Sequence, residues 1–289
     1  MHNSMTRNLL TLVAGILASL PAFPASAFTL TQNSSGQALL NTLLGNTTGL
    51  SNFSVRLRGN SGAFGQFQND PFGLGAGITL STGDVTQIPG INTGDGLNYD
   101  NSDLSSGWPD EDEDGVPGDD VMMDISFDAD EFVEKLFFQY VFGSEEFVEW
   151  GGSSFNDSFE LLLNGQNLAR LSDGKLVTVN NLVPNPLEPF HPDYINNPIG
   201  SQVPTRLDGF TKVLTFEGLL NKNARNTLSI QIRDLGDYAL DSAVFLKAGS
   251  LSSRRPDDNS AAVPEPTTMT GLAIAGALGM ITRRRQAKA

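Results

Sequence analysis

The middle of the chain shows an apolar/polar pattern that repeats every two residues. Three segments alternate in this way, at 53–58, 121–127 and 228–233. Successive side chains of a β-strand point to opposite faces of a sheet, so this alternation predicts strands with one buried and one solvent-facing side. Two unbroken apolar runs, at 136–142 and 159–163, predict strands that are covered on both faces.

Further signals indicate how these strands are connected. Short apolar runs predict two more strands at 210–216 and 242–248, and Asn164-Gly165 predicts a hairpin turn. Helical periodicity is confined to 37–44, with Gly45 as the expected stop. We therefore expect a mainly β fold, an antiparallel two-sheet β-sandwich of jelly-roll type with one short N-terminal helix.

The N-terminus has a different, continuous apolar pattern. Arg7 precedes an apolar run at 9–20, and the small residues Ala25 and Ala27 follow two prolines. This arrangement is typical of a secretory signal peptide and its cleavage site. Residues 1–27 are therefore predicted to be removed by signal peptidase.

At the C-terminus, an apolar segment at about 267–282 predicts a transmembrane sorting helix. A Pro-Glu-Pro triplet precedes it and three arginines follow it, at Pro264, Glu265, Pro266, Arg283, Arg284 and Arg285. The arginines would keep that end in the cytoplasm, and the helix is shorter than the roughly 20 residues of a permanent span. Residues 263–289 resemble the PEP-CTERM signal, which implies recognition by an exosortase in the inner membrane of a Gram-negative bacterium. A plain C-terminal anchor is the alternative.

Between the two ends, residues 28–252 are predicted to form one domain, followed by a linker at 253–262. The range 28–262 contains 13 of the 18 Lys and Arg residues and 32 of the 33 Asp and Glu residues, a balance of −19. So acidic a body repels nucleic acid and attracts cations, which excludes nucleic-acid binding. The chain has no cysteine, so disulfides, thiolate metal sites and cysteine nucleophiles are excluded as well.

One histidine, His191, remains in the mature chain, within a proline-rich loop at 180–207. A histidine-rich metal site cannot be built from it, and no nucleophile elbow lies nearby. We expect His191 to be an exposed loop residue. The long loop around it is of the kind in which binding specificity tends to reside.

The acidic loop at 108–120 has carboxylates at alternate positions followed by Gly115, as in DxDxDG calcium loops. Its candidate ligands are Asp110, Asp112, Asp114, Asp119 and Asp120. The loop departs from the EF-hand because Val121 stands where a bidentate Glu is needed. The alternative is a solvated acidic insertion.

A second acidic group lies in the loops after predicted strands. It comprises Glu145, Glu146, Asn156, Asp157, Asp234 and Asp241. Loops at one end of a sandwich can bring such oxygens together, and hard oxygen ligands favour Ca²⁺, the predicted cofactor. Two alternatives remain: a structural role in turns, and a glycosidase pair of Glu145 with Asp157 or Glu149.

Several motifs occur in the order found in choice-of-anchor L domains, which this chain resembles. They lie at 77–83, 138–147, 155–160, 163–165, 208–211 and 241–245. Members of that family carry different C-terminal sorting signals, PEP-CTERM among them. The resemblance implies an exported surface or matrix domain of β-sandwich type, and it implies no known reaction.

Together these features predict a non-enzymatic, exported protein with a calcium-stabilised sandwich and a structural or adhesive role. Its precursor would be tethered in the inner membrane by the C-terminal segment, and the processed protein would reach the cell surface or extracellular matrix. Exopolysaccharide and other surface proteins are the expected partners. The alternatives are a carbohydrate-binding module framed by Trp108 and Trp150, and a surface glycoside hydrolase acting on exopolysaccharide.

Overall fold

The computed structural model describes residues 27–94, 120–236 and 239–255. The strands and helices in these ranges are β1 Thr29–Gln32, α1 Gly36–Leu43, β2 Leu50–Arg58, β3 Phe64–Gln68, β4 Ala76–Ser81, β5 Asp120–Ala129, β6 Lys135–Ser144, β7 Ser158–Leu163, β8 Gln166–Asn167, α2 Val179–Leu182, β9 Tyr194–Asn196, β10 Gly209–Thr211, β11 Leu214–Leu219, β12 Ala224–Arg233 and β13 Ser242–Lys247. The predicted signal peptide up to residue 26, most of the acidic loop and the C-terminal sorting segment lie outside the described residues. None of the helices in the described ranges is both long and apolar enough to span a bilayer.

The strands form two antiparallel sheets. The larger has the order β1-β3-β4-β13-β6-β10-β9, with β11 also paired to β6, and the smaller has the order β2-β5-β12-β7-β8. Strand β6 is long enough to pair with β11 along its first half and with β10 at its end. The prediction of a mainly β fold with two antiparallel sheets is confirmed.

The main core lies between the two sheets. The predicted alternation is visible in β5 and β12, where every second side chain is buried. These side chains meet aromatic residues of β6, among them Phe138 and Tyr140, in one continuous apolar cluster. Burial on one face of each strand fixes the register, because a shift by one residue would turn the apolar side chains outward.

A second apolar cluster covers the outer face of the larger sheet. Phe67 and Phe245 extend from that face, and Phe28, Phe72 and Phe210 pack on them. The ring centroids of Phe72 lie 4.4 Å from those of Phe245 and 4.9 Å from those of Phe210. The larger sheet is therefore covered on both sides, as the unbroken apolar run in β6 predicts.

Helix α1 lies where the periodicity places it. The Ser35 hydroxyl caps its N-terminus, and Leu39, Leu40 and Leu43 are buried against the main core. The stop at Gly45 has a different cause from the one expected, because this glycine does not have a positive φ. A Cβ on Gly45 would lie 2.0 Å from the carbonyl oxygen of Gly249, so the close approach of two backbone segments requires glycine there.

The hairpin at Asn164-Gly165 is confirmed, since both residues have positive φ and join β7 to β8. The single strand expected at 210–216 is instead divided into β10 and β11. At the division the Phe142 N–H donates to the Thr211 hydroxyl at 3.1 Å, and the Lys212 N–H donates to the Asp193 carbonyl at 2.8 Å. These two bonds turn the chain before it pairs with β6 again.

Candidate functional site

Strand ends from both sheets meet at one end of the sandwich. Ser144 at the end of β6 pairs with Ser242 and Gly209, and Arg233 at the end of β12 pairs with Ser158. The loops beside these residues contain six carboxylates. We call this region the acidic end, defined by Glu145, Glu146, Asp157, Asp208, Asp234 and Asp241.

The carboxylates of the acidic end are buried. All six residues are at most 5% exposed. Burying an ionised carboxylate is costly unless hydrogen bonds or opposite charges compensate it. The contacts of these side chains therefore decide whether this end of the sandwich is stable.

Asp157 connects the two sheets. Its Oδ2 accepts a hydrogen bond from the Ser242 hydroxyl at 2.7 Å, and Ser242 begins β13 of the larger sheet. Its Oδ1 accepts from the Leu235 N–H at 3.0 Å, just after β12 of the smaller sheet. One buried side chain thus holds both layers together where their strands end.

Asp241 and Glu145 form a second buried connection, within the larger sheet. The Thr82 hydroxyl donates to Asp241 Oδ1 at 2.8 Å. The Asp241 N–H donates to Glu145 Oε2 at 3.2 Å, and the Glu145 N–H donates to the Asp241 carbonyl at 3.0 Å. These bonds fix the loops after β4 and β6 against the start of β13.

Asp208 joins this end through the proline-rich loop. Its Oδ1 accepts from the Asn92 side-chain amide at 2.5 Å, and its N–H donates to the Ser144 carbonyl at 3.0 Å. The same Asn92 amide donates to the Asn197 carbonyl at 2.7 Å. Asn92 therefore connects the segment after β4 to the acidic end.

The predicted ligands do not all share one environment. Glu145, Glu146, Asp157, Asp234 and Asp241 are brought together at the acidic end. Asp120 lies at the start of β5, where its carboxylate pairs with Arg233 at 2.6 Å. Asn156 Oδ1 accepts from the Asn180 N–H at 2.9 Å, beside α2. Asp110, Asp112, Asp114 and Asp119 lie outside the described residues.

Within the described ranges, no group of three or more Asp, Glu, His or Cys side chains is arranged to hold a metal ion. Several buried carboxylate oxygens accept hydrogen bonds from backbone N–H groups and hydroxyls there. Calcium binding by the predicted ligands therefore stays a prediction. A site at the acidic end would need further oxygen ligands besides the described acidic side chains.

Of the predicted catalytic partners of Glu145, Glu149 lies on a different surface. Its Oε2 accepts from the Val148 N–H at 2.6 Å, and the residue lines a cavity of about 570 Å³ beside the proline-rich loop. Sequence reasoning missed this cavity, because its walls come from residues without periodicity. The one available signal was the long loop at 180–207, which contributes Leu187, Phe190 and Ile199.

Two further residues were singled out in the sequence. The expectation of an exposed His191 was wrong: its side chain is 6% exposed and lies between Asp173 and Asp193, at 3.4 and 3.7 Å. Trp150 is half-buried, with its ring 5.1 Å from that of Phe155 in an edge-to-face arrangement. That packing favours a tryptophan that closes the edge of the core over one that presents a sugar-binding face. Trp108 lies outside the described residues.

Comparison with known proteins agrees with this architecture. No curated protein and no solved structure matches the chain. The family of choice-of-anchor L domains matches residues 28–252, a range that includes both sheets, both apolar clusters and the acidic end. Membership of that family fits a surface-associated β-sandwich. The chain belongs to the choice-of-anchor L family.

Proposed function

We propose that this protein is an exported, non-catalytic component of the cell surface or extracellular matrix, with a structural or adhesive role and a calcium-stabilised acidic end. Family membership and the two-sheet architecture support surface association. The calcium proposal rests on one observation, the burial of six carboxylates where the strand ends of both sheets meet.

Calcium is the cation that suits this environment. Carboxylate and carbonyl oxygens are its usual ligands, and it tolerates the irregular geometry that loops provide. The described carboxylates form no three-ligand group, so the proposed site takes further oxygens from the acidic stretch at 110–119. The residue that directly follows that stretch lies beside the acidic end, because Asp120 pairs with Arg233, next to Asp234.

Thermal unfolding of the full chain in neutral detergent tests the proposal. Saturating Ca²⁺ should raise the melting temperature by about 5–10 °C relative to chelator, because a ligand at a hundred times its Kd stabilises a domain by about 2.7 kcal/mol. Mg²⁺ at the same concentration is the control, since it demands a smaller octahedral site. Equal melting temperatures in Ca²⁺ and chelator would remove the calcium proposal.

We further propose that the C-terminal segment is a PEP-CTERM signal used during export, with the precursor held in the inner membrane of a Gram-negative bacterium. The support is the order of Pro264, Glu265 and Pro266, the apolar segment and the arginines. Replacing the triplet with alanines should leave the protein in the membrane fraction, whereas the unchanged chain should appear on the surface or in the medium. The same distribution for both chains would contradict the sorting role.

A further inference from the structure

The cavity beside the proline-rich loop has both apolar and acidic side chains in its lining. It lies between the turn that follows β6, with Phe147 and Val148, and the loop residues Leu187, Phe190 and Ile199. Its volume of about 570 Å³ is within the range of pockets that bind ligands. Phe147 and Phe190 both pack against Tyr194, with ring centroids 4.8 and 5.5 Å apart, so part of its wall is a fixed aromatic group.

Apolar side chains also continue outside the cavity. Leu187 is 75% exposed and Ile199 is 54% exposed, and both line its mouth. An apolar surface of this kind, rimmed by polar groups, is typical of an interaction site.

We call the cavity and its apolar mouth the groove. The charged side chains among its described lining residues are all negative. Glu149, Glu188 and Asp208 line it, and no Lys or Arg is among its described lining residues. Burial raises the pKa of the Tyr194 phenol well above its ordinary value, and the negative charges of Asp208 and Glu149 raise it further. The field at the floor of the groove is therefore negative and favours a cation.

We propose that this groove binds an extended segment of a partner protein in which a lysine or arginine is flanked by apolar residues. The cation would lie near Glu149 and Glu188, and the apolar neighbours would cover Leu187 and Ile199. A small organic cation would leave the apolar mouth uncovered. A second copy of this chain is disfavoured by repulsion, because each copy has a net charge of −15.

The inference rests on the proposed adhesive role, because it describes the chemical character of the partner to which the protein would adhere. It uses a surface separate from the buried carboxylates of the calcium proposal, Asp208 excepted. Peptide binding is therefore measured both in chelator and in saturating Ca²⁺, so that any effect of calcium on the groove is seen separately from peptide binding itself.

Fluorescence anisotropy with the full chain in neutral detergent provides the test. The probe is a short synthetic peptide in which leucine and lysine alternate, compared with peptides in which lysine is replaced by glutamate or leucine by serine. We expect only the leucine–lysine peptide to bind. Ile199→Ser should weaken its binding by about tenfold or more, since burial of one aliphatic side chain contributes roughly 1.5–3 kcal/mol.

Matched variants distinguish peptide binding in the groove from nonspecific attraction of the peptide to an acidic chain. Glu149→Gln and Glu188→Gln should each weaken binding, whereas Glu134→Gln and Phe132→Ser, at the other end of the sandwich, should not. Equal weakening at both ends, or no binding of the leucine–lysine peptide, would overturn the inference. Intact peptide binding by a chain that fails to reach the cell surface would contradict the proposed function and leave this inference standing.

Discussion

The two ends of the sandwich both contain acidic side chains, but in opposite environments. At the acidic end six carboxylates are buried, and several accept hydrogen bonds from backbone and hydroxyl groups. At the other end, here called the tail end, the acids are exposed and paired with bases across the surface. The tail end is defined by Glu134, Lys135, Glu217, Lys222 and Arg255.

The difference lies in what each carboxylate holds in place. At the tail end, Lys135 and Arg255 both bind Glu217, and Lys222 binds Glu134, through long side chains that remain in water. Such pairs contribute little, because solvent screens them and ordering the side chains costs entropy. At the acidic end Asp157 binds groups that are fixed by both sheets. Loss of a carboxylate there should change the structure, whereas loss at the tail end should not.

The largest effect is expected for Asp157→Ala. The Ser242 hydroxyl and the Leu235 N–H would both lose a buried acceptor, and leaving such donors unpaired costs about 1–3 kcal/mol each. We therefore expect a loss of about 2–5 kcal/mol in the free energy of unfolding, measured by urea denaturation. Asp157→Asn is the matched control, since its amide oxygen can still accept one of the two bonds. A loss below about 1 kcal/mol for the alanine variant would mean that the acidic end does not hold the sheets together.

The next effect concerns calcium. Asp241→Asn keeps an oxygen for the Thr82 hydroxyl and removes one negative charge from the acidic end. We expect the variant to be more stable than the parent in chelator. Its gain in stability from Ca²⁺ should be smaller than that of the parent by on the order of 2 kcal/mol. Differential scanning calorimetry of both chains in chelator and in Ca²⁺ provides the measurement.

Glu134→Gln supplies the control at the tail end, because it removes the same charge from an exposed pair. Its response to Ca²⁺ should equal that of the parent. If the two substitutions changed the stabilisation by Ca²⁺ equally, that stabilisation would depend on the net charge of the chain and not on a site at the acidic end.

The sequence predicted the layers of this fold better than its ends. Alternation in β5 and β12 specifies which faces are buried, because period-two burial is a local property of the residues. Strands β3 and β4 were not predicted, although they lie inside the larger sheet. Strands β1 and β9 were missed as well; both are short and lie at sheet edges, and Thr29–Gln32 is mostly polar. These edge segments become strands by pairing with a neighbouring strand that is not adjacent in sequence, so local sequence does not reveal them.

The acidic end was only partly predictable for a similar reason. The positions of Glu145, Asp157 and Asp241 after predicted strands indicated that they would lie close together. Their burial was not predictable, because it depends on Thr82 and Ser242, which the sequence does not mark as partners. The groove was missed altogether, since Leu187 and Ile199 belong to a loop without periodicity.

A smaller effect should appear at high pH. Burial raises the pKa of Tyr194 above its ordinary value of 10.0, and the charges of Asp208 and Glu149 raise it further. Above pH 10.0 the unfolded chain loses the phenol proton while the folded chain keeps it, so stability falls as pH rises. The slope is up to about 1.4 kcal/mol per pH unit for each such tyrosine.

Tyr194→Phe should make this decline less steep, as shown by urea denaturation below and above pH 10.0. Tyr140→Phe should have a similar effect, because burial is also the main cause of the raised pKa of Tyr140, in the middle of β6. Glu149→Gln should leave the slope unchanged while the folded chain keeps the Tyr194 proton, because the slope depends only on the difference in bound protons between the two states. An unchanged slope in Tyr194→Phe would show that this phenol titrates alike in the folded and unfolded chains.

The smallest effect is expected at the tail end, in a double-mutant cycle of Lys135→Met and Glu217→Gln. Lys135 holds the pKa of Glu217 below its ordinary value of 4.5, with a further contribution from Arg255. The stabilisation is therefore present above pH 4.5 and is lost as pH falls through the lowered pKa of the folded state. We expect a coupling of about 0.2–1 kcal/mol that decreases in high salt. A coupling above about 2 kcal/mol, or one that salt does not change, would mean that solvent does not screen this pair. The contrast between the two ends would then have to come from something other than burial.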